Sequence, residues 1–220
     1  MSEQSETLVP GTATPFDNAH PPDEDFLAVL SQALDVLRAE GLDHVVIGGL
    51  ASAALGRPRW THDVDIFVRS DEADKALEVL SRAGFETHET NPLWLYKAIK
   101  DGVVIDVIFK SKGDLYLDDE MLARAVHGEF KGVKLPLAPP EDIVVIKAAV
   151  HDEERPRHWH DALGILIRTD LDWDYLLLRA RHATKRVLSL LIYASSNDVV
   201  IPAHVIRTLF DQVYGQEGSS

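Results

Sequence analysis

Residues 45–68, VVIGGLASAALGRPRWTHDVDIFV, restrict what this chain can become more than any other stretch. In a strand, residues i and i+2 point to the same side. Asp63 and Asp65 therefore project together from a segment whose neighbours Val64, Ile66 and Val68 are apolar. Two adjacent carboxylates repel each other, and the arrangement persists most easily around a cation, for which an oxygen-seeking divalent ion is the usual candidate. Upstream, the apolar run Val45-Val46-Ile47 stops at Gly48-Gly49 before an Ala-rich stretch. A strand, two glycines and a helix start present free backbone N–H groups at the positive end of a helix dipole. Without a Cβ, Gly48 and Gly49 let a phosphate approach the backbone. The plain alternatives are a tight strand–helix turn for the glycines and, for the aspartates, a solvated edge paired with Arg57 or Arg59.

The remaining elements follow from periodicity. Apolar residues at helical spacing predict a helix over 23–40, closed by Gly41. Strands are expected over 43–47 and 63–68, with a short helix over 50–55 between them. A helix capped by Ser70-Asp71-Glu72 runs to about Ala83. A strand is expected over 85–89, and two apolar runs, 93–100 and 103–110, flank Asp101-Gly102, a strong hairpin signal. A helix over 117–125 and one strand or hairpin arm over 129–135 complete the first part. After Pro139-Pro140 the pattern turns wholly helical: 141–150, 159–167, 173–183, 186–194 and 204–214. Trp159, Trp173 and Tyr175 fall at core positions of these helices. The fold class is α+β, a small mixed sheet flanked by helices and followed by a helical C-terminal part. The expected division is a flexible lead-in over 1–22, an α+β domain over 23–138, a helical domain over 139–214 and a flexible tail over 215–220.

Asp106 stands amid apolar residues in Val103-Val104-Ile105-Asp106-Val107-Ile108-Phe109. A buried carboxylate must be neutralised, paired or metal-bound. If its strand lies beside the Asp63/Asp65 strand, three carboxylates converge and suit Mg²⁺, which prefers oxygen ligands and keeps room for water and phosphate. The alternative is a salt bridge to Lys97 or another hairpin partner. Lys147 is the one charged residue between Ile143 and Val150, so it either snorkels or meets an anion such as phosphate. Thr61 can bond its own loop or a phosphate.

The order hGG, thirteen residues, DhDh, then hDh resembles the nucleotidyltransferase superfamily of DNA polymerase beta-like fold. Ile47-Gly48-Gly49, Asp63-Val64-Asp65-Ile66 and Ile105-Asp106-Val107 fill those places. The resemblance implies that Asp63 and Asp65 bind two Mg²⁺ ions (Mn²⁺ as the alternative) that hold a nucleoside triphosphate. It implies that Asp106 completes one metal site and helps deprotonate the attacking hydroxyl. Gly48, Gly49, Arg59 and Thr61 fall where the nucleotide binds. More loosely, Pro140-Glu141-Asp142-Ile143-Val144-Val145-Ile146-Lys147 and Arg155-Pro156-Arg157-His158-Trp159-His160-Asp161 are similar to small bacterial nucleotidyltransferases of the AbiEii and MenT toxin types. That similarity puts Lys147 near the triphosphate and Asp161 near the catalytic centre, and it brings in an antitoxin-like partner. Here His158 stands where the first of the later acids falls in that pattern.

Composition removes other chemistries. No cysteine means no disulfide, thiolate metal site or cysteine nucleophile. His151, His158 and His160 are not spaced as an i, i+4 zinc pair. A net charge of −14 excludes nucleic-acid binding by overall electrostatics, leaving only a local basic face. No apolar run nears the ~20 residues that span a bilayer, and the N-terminus lacks the basic-then-apolar order of a secretory signal, so a cytoplasmic protein is expected. The function expected is metal-dependent transfer of a nucleotide monophosphate from an NTP to a hydroxyl of a tRNA 3′ end, a protein or a small molecule, with release of pyrophosphate. The alternative is a catalytically silent module of the same fold that binds nucleotide or a partner.

Overall fold

Pairing of the two Asp-bearing runs determines the architecture. The computed structural model describes residues 23–56, 61, 63–154 and 156–215. The expected lead-in over 1–22, the tail past 215 and the candidate Arg59 lie outside the described residues. Among those described, the first part contains α1 (Asp23–Ala39), β1 (His44–Val46), α2 (Gly48–Leu55), β2 (Asp63–Val68) and, after a 3₁₀ turn, α3 (Ala73–Arg82). There follow β3 (Glu86–Asn91), β4 (Leu95–Lys100), β5 (Val103–Ile108), α4 (Asp119–Ala123), β6 (Val126–Phe130) and β7 (Val133–Leu137). The helical part is α5 (Pro140–Val150), α6 (Arg157–Arg168), α7 (Trp173–Ala180), α8 (Thr184–Ser196) and α9 (Ala203–Tyr214).

The described strands form one mixed sheet in the order β3-β4-β5-β2-β1-β7-β6. β2 runs parallel to β5 and antiparallel to β1, and β1 runs parallel to β7. Val64 and Ile66 on β2 and Val103, Ile105 and Val107 on β5 are fully buried, and α1 and α3 lie against β5. Burying one such side chain contributes about 1.5–3 kcal/mol. A one-residue slip would exchange these side chains for the carboxylates, so burial fixes the register.

The β4–β5 turn has Asp101 and Gly102 at φ +49° and +76°, the left-handed pair that a two-residue hairpin loop requires. A second such turn, Lys131-Gly132 at φ +47° and +89°, divides the stretch expected as one arm over 129–135 into the β6 and β7 arms. Lysine seldom adopts a left-handed backbone, so the sequence does not signal this turn.

α5 is buried almost all round and packs against α2, α6, α7 and α8. Its polar side chains are paired, as burial demands. Glu141 accepts from the Asp172 N–H (2.7 Å), and Asp142 accepts from Tyr175 Oη and Arg179 Nε (both 2.6 Å). Arg179 also reaches Asp118, the N-cap of α4. Tyr175 is buried, while Trp159 and Trp173 pack half-buried against the core. The change of character at residue 138 coincides with the short link between β7 and α5, and one buried cluster extends across it from Phe26 to Leu209.

Candidate active site

The site forms where α2 meets the carboxylate side of β2 and β5. Asp65 is registered directly against Asp106, and Asp63 against Val104. Register partners on adjacent strands share a face, so the three aspartates stand on one side of the sheet. Asp63 is exposed, and Asp65 and Asp106 are half-buried.

The glycine turn is fitted to this row. The Ile47 N–H donates to the Asp65 carbonyl (2.9 Å), and the Gly49 N–H donates to Asp65 Oδ2 (3.4 Å). Gly48 sits at φ +66°, and a Cβ there would fall 1.7 Å from Asp65 Oδ2. Glycine is thus required twice, for its backbone conformation and for the approach of a carboxylate. Ser52, buried one turn into α2, donates to the Gly48 carbonyl (2.7 Å) and holds the turn from behind. The only hint of Ser52 in the sequence is a hydroxyl four residues beyond Gly48.

Lys147 and Asp161 form a buried ion pair between α5 and α6 (2.9 Å). The Lys147 charge also reaches Asp65. Burial, and then the charge of Asp106, push the Asp65 carboxyl above its ordinary pKa, while Lys147 and the Gly49 N–H draw it down. Asp106 has a counter-ion of its own, because Lys97 Nζ donates to its Oδ1 across the β4–β5 pair. Burial pushes the Asp106 carboxyl up against the pull of Lys97. The salt bridge weighed as the alternative for Asp106 is therefore present. Among the described residues, no group of three or more acidic or histidine side chains is gathered as a metal cluster.

A family model described as a nucleotidyl transferase of unknown function (DUF2204) matches residues 26–190. The chain belongs to this family. No curated protein matches it. In fold, this nucleotidyltransferase is similar to an antigenic nucleotidyltransferase-like protein from Paracoccidioides brasiliensis. The two are 16% identical over 80% of this chain and 89% of that one, at a TM-score of 0.52. At a TM-score of 0.48 stand the antibiotic-resistance factor ANT(2'')-Ia, 16% identical over 78% and 91% of the two chains, and the lincosamide antibiotic adenylyltransferase LnuA, 14% identical over 64% and 97%.

The remaining candidates of the nucleotidyltransferase fall around this centre. Thr61 is buried and bonds its own loop, its Oγ1 donating to the Asp63 carbonyl (3.3 Å), which steadies the entry to β2. α6 crosses α2 closely enough that a Cβ on Gly56 would lie 2.7 Å from the backbone of Gly164 and Ile165. Beyond Lys147, a cavity of about 110 Å³ lies between α5, α6 and α8, lined by His151, Trp159, His160, Leu163 and Tyr193 among others. No helix among the described residues is long and apolar enough to cross a membrane.

Proposed function

We propose that this nucleotidyltransferase moves a nucleotide monophosphate from an NTP to a hydroxyl acceptor with the help of a divalent cation. The observation that carries the reading is the contact between the two halves of the site, with Gly48 and the Gly49 N–H against Asp65 and Asp65 beside Asp106. Two carboxylates on successive outward positions of one strand, the more buried one raised in pKa, fit a hard cation whose other ligands are phosphate oxygens and water. Asp63 and Asp65 would hold Mg²⁺ or Mn²⁺, and the ion would neutralise the triphosphate and sharpen the electrophilicity of its α-phosphorus.

The chain's own residues bind and orient. The Gly48 end of α2, where no Cβ intervenes, would receive phosphate oxygens, while the Gly49 N–H holds Asp65. Lys147, held by Asp161, adds positive potential from the helical side. The acceptor oxygen bonds to the α-phosphorus as the bond to the bridging β-oxygen breaks, and pyrophosphate leaves with that electron pair. The hydroxyl proton passes to a carboxylate, a role we assign to Asp106. Catalysis of this kind is mostly positioning and charge neutralisation. The helical part shapes the acceptor site, and the α5–α6–α8 cavity supports that placement.

The test incubates the full chain with α-labelled NTPs, Mg²⁺ and separate cellular RNA, protein and small-molecule fractions. Label should appear in one fraction and be lost with Asp63→Ala plus Asp65→Ala. Transfer that survives the double substitution would refute the metal assignment, and NTP binding without transfer to any fraction would favour a silent module.

A further inference from the structure

Among the described residues, Asp106 is the one of the three carboxylates that is paired with a lysine. Lys97 is its direct cross-strand register partner, and the two side chains are 31% and 16% exposed, so the pair is only partly open to water. Among the described residues, neither Asp63 nor Asp65 is paired with a lysine or arginine, and Asp65 takes a backbone N–H instead. A second ion at Asp106 would have to displace or face the ammonium.

We propose that Lys97 is a positioning residue that occupies the cation's place at Asp106, so that the site takes up one divalent ion with its nucleotide, at Asp63 and Asp65, rather than two. This rests on the transferase reading above and sharpens it. Asp106, held through Oδ1 by Lys97, serves the acceptor's proton and not a second ion. An ammonium here is a fixed point charge on a flexible stem, able to stand where an ion would otherwise be recruited from solution.

The test counts Mn²⁺ bound to the full chain in the presence of a non-hydrolysable NTP analogue, by electron paramagnetic resonance and calorimetry. The wild type should bind one ion, and Asp65→Asn should bind none. Lys97→Met, of similar length and no charge, should admit a second ion at least about tenfold more tightly than the wild type. Lys97→Arg should restore a single ion. Lys97→Gln serves as a second neutral variant, and circular dichroism establishes which variants are folded. Two ions of comparable affinity in the wild type would overturn the role of Lys97 while leaving the transferase reading intact. A folded neutral variant that still binds one ion would do the same. No ion in the wild type would overturn both.

Discussion

At the scale of single residues, Gly48 does what no other residue can. Its φ is +66°, and any Cβ would overlap the Asp65 carboxylate. Gly48→Ala should therefore lower nucleotide transfer by at least about 100-fold, since displacing a reacting group by about 1 Å has that effect. Destabilisation should be about 1–3 kcal/mol, and parallel transfer assays and denaturant melts would separate the two effects. Asp118 bears on stability. Burial pushes its carboxyl up, but the bonds from Arg179 and the Met121 N–H outweigh this and hold it below its ordinary value. A pKa depressed in the folded state contributes stability that is present above the unfolded value, about 3.9, and lost as pH falls through the folded one. The stability difference between wild type and Asp118→Asn should be largest near neutrality and shrink as pH drops below about 4, as urea melts across that range would show. Asp63, Asp65 and Gly48 are legible in the sequence because a period of two and a paired glycine both leave a local mark. Lys97 is legible as a possible hairpin partner of Asp106, and the β4–β5 register sets the two directly opposite each other.

Among the elements, α5 and α6 are joined by the buried Lys147–Asp161 pair. Removing one partner of a buried pair typically costs about 3–5 kcal/mol, whereas replacing both with apolar groups is often neutral. Asp161→Ala should thus destabilise strongly, and Lys147→Met with Asp161→Leu should recover most of the loss in a denaturant titration. The double variant should still transfer poorly, because the positive potential beside Asp65 is gone. Where α2 meets α6, Gly56→Ala would press a methyl group into the Gly164 backbone and should cost about 1–3 kcal/mol. Periodicity marks the long helices well, and the β2 range in the structure, Asp63–Val68, is the one expected. It does not mark the Lys131-Gly132 turn, because the residue that enters the left-handed conformation is not one that favours it. Nor does it show that Asp161 is buried, since an acid on a helix normally faces water.

In the whole molecule, what the sequence leaves open is adjacency. Nothing local to β2 says that β5, some forty residues later, runs parallel beside it and sets Asp65 against Asp106. That pairing is long-range, and it is decided by the shared burial of Val64, Ile66, Ile105 and Val107, with α1 and α3 packed against β5. The family model matches residues 26–190, well beyond the glycine and aspartate motifs that carry the resemblance. Gly48-Gly49 and the Asp63/Asp65 pair are proposed to form one grip on a metal-bound triphosphate. Anomalous diffraction from crystals grown with Mn²⁺ and a non-hydrolysable NTP analogue tests it most directly. One manganese peak held by the Asp63 and Asp65 carboxylates is expected, with a phosphate against the glycine turn at the start of α2. A nucleotide bound away from the glycine turn, or a peak that does not touch either aspartate, would contradict it.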